Sequence, residues 1–390
     1  MPIREWMTPQ QRVLAAIKLE PYDRVPVVPL LDFSFAVRRK GLTLAQGFTD
    51  YPGVGWPAIV DLFKEMGGWD GFILPGWSQT PNPNHPSTSR GSTVKVPGKE
   101  LPTDSLPQFI ETEAMTIKDY DNIIKLGWNK WCEKTQHENP QFSAEKNKDW
   151  AERQIAQYRL ETQTWAQKDV PVLVGAITSP PLMTISTIRS MKAFATDIQL
   201  YPGKVQAVMD AMVEDLTNNA IELTKLTGVP GVALIIERSG ASYFPLTTFE
   251  RFAFPYIKKM VNAFAAQDII TVLHLDNDWI LNLPYLRELP ARMCVCELDG
   301  KTNIFDAREI LKNHMCIAGD VPANLFSQGT PAEIESYCKK LIEKIGKDTG
   351  FILSTGCVLP TDCKSENFKT MVRTAKDYYP YARKPIKKIF

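Results

Sequence analysis

Eight short apolar runs are spread along this chain, and helix-length segments separate most of them. They are Val25–Leu31, Gly71–Leu74, Val172–Ile177, Val232–Glu237, Ile269–His274, Cys294–Leu298, Cys316–Gly319 and Phe351–Ser354. Continuous apolar patterning is what a strand buried on both faces needs, and strands covered by helices on both faces are parallel. Eight strand–helix units close most simply into an α/β barrel of the TIM type, (β/α)8. The 390 residues suit such a barrel as a single domain over residues 1–390. The runner-up, an open doubly wound sheet, lacks both G-x-G-x-x-G and G-x-x-x-x-G-K-[ST] for its switch point.

Local signals punctuate the alternation. Thr8-Pro9-Gln10-Gln11 has an N-cap, a proline at the first helical position and a capping-box Gln, so a helix through Leu19 should form an N-terminal helical extension. The same logic places helix starts at Thr247–Glu250 and Thr330–Glu333, with Pro255 as a kink in the former. Further helices are expected at Pro57–Met66, roughly 143–167 and near 203–226. Between them, Pro81, Pro83, Pro86, Pro97 and Pro102 mix with Ser, Thr, Asn and Gly. This reads as an inserted lid, an excursion at about 76–165.

Composition narrows the functional classes. With 45 basic and 44 acidic residues the formal net charge is +1, and no basic stripe suggests a nucleic-acid partner. No uninterrupted apolar stretch is long enough to span a bilayer. Seven cysteines, an odd number with no C-x-x-C pair, point to reduced thiols in a cytoplasm. Cys294 and Cys296 share one side of a buried run and read as core; Cys316 opens its run and belongs at the opposite face of the barrel from any site.

Chemistry-bearing residues gather at the ends of three runs: Glu237, His274 with Asp276, and Cys357. In a parallel barrel all strand ends emerge on one face, so these distant residues can surround one ion. Positions i and i+2 on a strand point to the same side, so His274 and Asp276 can act together. Each has an ordinary alternative. His274 could be a core histidine, Cys357 a packed thiol after Gly356, and Glu237 a partner for Arg238. Asp276 has three roles open to it: fourth ligand, hydrogen-bond partner of His274, or N-cap for the segment from 278. Asp299 and Asp320 also end runs, where caps and turns explain them equally well. Phe35, Trp77 and Tyr243 follow strand ends and could wall a substrate pocket. His85, His137 and His314 are expected at the solvated surface.

Asp-Arg-Val-Pro-Val near the start, Ile-Ile-Glu-Arg-Ser-Gly, the His-x-Asp strand, Cys-Ile-Ala-Gly-Asp-Val-Pro-Ala-Asn-Leu and Gly-Phe-Ile-Leu-Ser-Thr-Gly-Cys resemble the uroporphyrinogen decarboxylase superfamily. Their order and spacing carry the resemblance, most strongly from about 230 to 380. The decarboxylases use no metal and carry an Arg-rich segment after the first strand; Leu31-Asp32-Phe-Ser-Phe35-Ala-Val-Arg38-Arg39 does not reproduce it. The other branch, the corrinoid-dependent methyltransferases, holds zinc with His-x-Cys, a distant Cys and often an upstream Glu. The resemblance therefore implies a Zn2+ site of Glu237, His274 and Cys357, with Asp276 standing where that branch has a cysteine. A carboxylate in that place makes the ion harder and a better Lewis acid towards oxygen. The implied activity is O-demethylation, a methyl group moving from a methoxylated, in particular aromatic, small molecule to a corrinoid protein in anaerobic one-carbon metabolism. No Asp-x-His-x-x-Gly fingerprint occurs, so a partner protein must bring the corrinoid. A methylcorrinoid:thiol methyltransferase, a metal-free porphyrinogen decarboxylase-like lyase and a non-catalytic corrinoid-protein binder remain as alternatives. Homodimerisation stays open.

Overall fold

The computed structural model describes residues 5–75, 92–137 and 144–378. A small antiparallel hairpin, β1 (Ser92–Lys95) and β2 (Gln108–Glu111), stands apart from the main sheet. The main sheet is parallel and runs in sequence order through β3 (Ala176–Thr178), β4 (Gly231–Ile235), β5 (Ile270–Leu275), β6 (Cys294–Leu298), β7 (Cys316–Val321) and β8 (Phe351–Thr355).

The first two runs complete the circle, though neither is a long regular strand. Val28 N–H donates to Leu353 O at 2.9 Å, and Leu353 N–H returns to Pro26 O at 2.9 Å, so the first run lies against β8. Asp70 N–H reaches Val27 O at 2.8 Å. Phe72 then pairs with the third run: its N–H donates to Pro171 O and its carbonyl accepts from Leu173 N–H, each at 2.8 Å. Gly175 N–H to Gly231 O at 2.7 Å carries the ladder on to β4. The result is the expected eight-fold TIM-type closure. Val28, Ile73, Leu173, Val272, Val295, Ala318 and Ile352 converge on the axis, one side chain from each of seven strand positions.

Most helices lie where the sequence places them. Thr8 and Thr330 both form complete capping boxes, for Pro9–Ile17 and Pro331–Leu341. The helices Trp56–Glu65, Ala144–Ala166 and Pro202–Thr227 match the expected segments. The capping box expected at Thr247 does not form. The chain turns helical one residue earlier, at Leu246 after Pro245, and Thr247 is inside the first turn. The helix then widens through Phe249–Ala253 before Phe254–Ala265, so the break lies just ahead of Pro255. A proline near a new first turn gives up no needed N–H. Residues 76–91 of the excursion lie outside the described residues. No helix among the described residues is long and apolar enough to cross a membrane.

The N-terminal end of the barrel is sealed by charge. Arg12, Asp23, Arg24 and Asp70 are all almost fully buried. Asp70 Oδ1 accepts from Arg12 Nη1 at 2.6 Å, its Oδ2 from Arg24 Nη1 at 2.6 Å, and Oδ2 also accepts from Val27 N–H at 2.9 Å. Asp23 Oδ2 accepts from Arg12 Nη2 at 2.8 Å and from the Trp6 and Met7 N–H groups at 3.0 Å. The N-terminal helix is thereby pinned to the first two strand segments. Deleting one member leaves a desolvated charge, which costs far more than the pair contributes net. Asp70→Ala should therefore lower unfolding free energy by about 3–5 kcal/mol in chemical denaturation. A loss under about 1 kcal/mol would show that the arginines find water or another partner there.

Candidate metal centre

Glu237, His274 and Asp276 come together at the C-terminal end of the barrel, each half-buried. One donor atom from each lies within 4.8 Å of the other two. β4 ends at Ile235, and Glu237 opens a short turn, Glu237–Ser239, that lifts its side chain over the neighbouring strand end. His274 sits on β5 in register with Ile235 on one side and Glu297 of β6 on the other. Asp276 follows β5 immediately.

Glu297 was not among the residues singled out from sequence. It is buried, and its Oε2 is 2.8 Å from His274 Nδ1. That contact leaves Nε2 free to face Asp276 Oδ1, 3.6 Å away. Asp276 Oδ1 is itself buried and has no hydrogen-bond partner in the structure. A carboxylate on one imidazole nitrogen, with the other nitrogen aimed at two carboxyl groups, is how metal-binding histidines are held. An unpartnered buried carboxylate oxygen among such donors fits a divalent cation. The signal for Glu297 was present in the sequence: a lone acid inside the otherwise apolar run Cys-Val-Cys-Glu-Leu.

Electrostatics bind the three donors to one another. Burial alone would lower the His274 pKa, but the Glu297 carboxylate, then Asp276 and Glu237, raise it to about 9. The Glu237 carboxyl is pushed up by burial and then by the neighbouring Asp276. Arg238 does not neutralise Glu237 through an ion pair; its Nη1 goes to Glu111 Oε1 at 2.8 Å and Ser186 O at 3.1 Å. No helix starts at 278, so the N-cap role for Asp276 falls away; the next helix is Leu283–Leu286 behind Asn282.

Cys357 is half-buried after Gly356 and lies outside the 4.8 Å group. Its thiol is pushed up to about 11 by burial and then by the Asp276 charge. A Cβ at Gly356 would come 2.7 Å from Asp299 O, which is why that turn takes glycine. Asp299 serves the turns: its carboxylate accepts from Asn277 N–H at 2.9 Å and Lys301 N–H at 2.8 Å. Asp320 accepts from Tyr337 Oη at 2.9 Å, and burial pushes its carboxyl up to about 7. Tyr243 is exposed in the loop beyond Glu237. Phe35 is buried, with its ring edge-on to Phe368 in helix Ser365–Asp377. Trp77 and His85 lie outside the described residues. His314 is half-buried, and burial lowers its pKa first of all.

The model of the uroporphyrinogen decarboxylase (URO-D) family matches residues 138–378, a span that holds the whole cluster. This chain belongs to that family. Similar curated proteins are the methylcobamide:CoM methyltransferases MtbA of Methanosarcina mazei and Methanosarcina acetivorans, each 29% identical over 131 residues. Those alignments cover 33% of this chain and 37% of the relatives' length. A solved structure, a methyltransferase from Methanosarcina mazei, superposes with a TM-score of 0.68 at 16% identity. It covers 95% of this chain and 98% of its own, and so shares the barrel fold.

In the metal-free protein His274 holds its proton to about pH 9, above the ordinary 6.5. A cation at Nε2 must displace that proton. Apparent zinc affinity should therefore climb about tenfold per pH unit and level off above about 9. The raised folded-state pKa also stabilises the metal-free fold, fully below the ordinary value, with loss as pH rises through 9. Zinc titration against a competing chelator across this window checks the first effect; a pH-independent affinity would remove His274 from the donor set.

Proposed function

We propose that this chain is a zinc-dependent methyltransferase that takes a methyl group from a methoxylated, in particular aromatic, substrate and passes it to a corrinoid protein. The observation that carries the reading is the donor set: two carboxylates and an imidazole within 4.8 Å, with no thiol among them. Glu237, His274 and Asp276 would hold the ion, with Cys357 beside them as a further donor. Zinc held there supplies a Lewis acid for the ether oxygen as the C–O bond breaks and its electron pair stays with oxygen.

The chain's own residues do the rest. Glu297 fixes the imidazole's rotation and tautomer through Nδ1. The apolar layer across the barrel axis closes the floor beneath the site and keeps water from entering from below. Tyr243 stands exposed on the rim, where an aromatic substrate ring could stack. Phe35 is not carried forward, because its ring is committed to packing. The corrinoid comes from a protein partner docking on the mouth, since the methyl acceptor must approach the C-terminal face. A soluble cytoplasmic protein with a single barrel domain completes the reading.

A second reading has its own support. The similarity to methylcobamide:CoM methyltransferases favours a thiol as methyl acceptor, with methyl moving in the opposite direction. Free cobalamin separates the two. Purified protein should contain about one zinc per chain. It should form methylcobalamin from cob(I)alamin and a methoxyarene. His274→Ala and Asp276→Ala should each lose at least about a hundredfold in that rate. Demethylation of methylcobalamin by a thiol, with no reaction of the methoxyarene, would replace the first reading by the second. Protein without zinc even after reconstitution would remove both and return the metal-free lyase.

A further inference from the structure

The loops that carry Glu237 and Asp276 meet on one side chain. Trp279 is fully buried. Its indole N–H donates to Asp276 O at 2.9 Å, and its backbone N–H donates to Thr302 Oγ1 at 2.9 Å. The indole is thus tied to the residue after β5, and its backbone to the loop after β6. The same nitrogen-bearing part of the ring lies against Gly240, three residues beyond Glu237. A Cβ at Gly240 would come 2.9 Å from Cε2 and 3.1 Å from Cζ2 of the indole. Only a glycine lets backbone approach a ring that closely. Phe249 backs the indole edge-on, with centroids 6.1 Å apart. Two bonds run beside this contact: Ala241 N–H to Asn282 Oδ1 at 2.9 Å, and Ser242 Oγ to Asp278 O at 3.3 Å.

We propose that Trp279 is a positioning residue that sets the spacing of the Glu237 and Asp276 carboxylates by forming the shared wall of their two loops. Trp279 contacts the backbone of these loops and is no member of the donor set. The inference rests on reading Glu237, His274 and Asp276 as a metal centre. Two carboxyl groups held within 4.8 Å repel when both are ionised. Without a rigid tie their loops would spread in the metal-free protein, and binding would have to pull them back together. The indole opposes that spreading by a hydrogen bond on one loop and by close packing on the other. The site is then pre-organised, and less of the binding free energy goes into closing it.

The test compares Trp279→Phe and Gly240→Ala with wild type and with Trp69→Phe. Trp279→Phe removes the indole N–H and part of the wall; Gly240→Ala keeps the hydrogen bond and crowds the contact. Trp69 is equally buried, beside Asp70 at the far end of the barrel, with its ring on Phe63 and Phe368. Zinc affinity is read by chelator competition, and ligand geometry from the visible bands of the Co2+-loaded protein. Both site variants should bind zinc about ten- to a hundredfold more weakly, with shifted Co2+ bands. Trp69→Phe should lose thermal stability yet keep wild-type affinity and spectrum. Wild-type affinity and spectrum in both site variants would overturn the proposal. If Gly240→Ala does not fold, Trp279→Phe decides alone. Wild-type protein that binds neither ion removes the metal centre itself, a result visible before any variant is made.

Discussion

The contact between His274 Nδ1 and Glu297 organises the mouth of the barrel. It exists because β5 and β6 are parallel and in a register that sets these two residues side by side. A slip of one position would turn His274 to the opposite face of the sheet and bring Leu298 or Cys296 beside it. The register also brings Ile235 of β4 next to His274, and so delivers Glu237 two residues later. One pairing pattern therefore fixes the imidazole's orientation, its protonation and its distance from two carboxylates. The aggregate charge explains why His274 stays protonated in the metal-free state despite burial, which by itself would favour the neutral ring.

The two ends of the barrel treat buried charge in opposite ways. At the N-terminal end two arginines meet two aspartates, and almost every donor has an acceptor. Such a network is costly to break and closed to chemistry. At the C-terminal end, Glu237, Asp276 and Glu297 surround a single histidine, and Asp276 Oδ1 has no hydrogen-bond partner. An excess of carboxylates over cations at one place favours a further cation there. Separation of stability and function to opposite faces is the general habit of this fold. Here it can be read directly from how the ion pairs close.

Much of this was legible in the sequence, and the failures have physical causes. Strand-end residues declared the mouth because parallel strands all point one way, so Glu237, His274 and Asp276 needed only correct run boundaries. Capping at Thr8 and Thr330 was legible because the motif is local. The similar motif at Thr247 failed because the helix already starts at Leu246 behind Pro245, which puts Thr247 inside the first turn and not at its cap. The first two runs were recognised as strands, yet they pair through only a few bonds. Pro26 and Pro29 interrupt the first, and a proline offers no N–H to a ladder. Glu297 escaped because its neighbours made the run look like pure core. Its role depends on the residue opposite, which no single strand's sequence states.

The donor chemistry follows from which groups release a proton most easily. A thiol must ionise before it binds a cation. Cys357 is harder to ionise than a free cysteine, since burial and the Asp276 charge both hold its proton. Asp276 Oδ1 lies 3.6 Å from His274 Nε2 and has no hydrogen-bond partner. The carboxylate oxygens are thus the more available donors, and the His274 nitrogen becomes one as its proton leaves. They would offer a cation a harder site than thiolates do. Glu297 works partly against this, because a carboxylate on Nδ1 makes the imidazole a stronger donor. Zinc held by two oxygens and one strengthened nitrogen would be better matched to an ether or alkoxide oxygen than to sulfur.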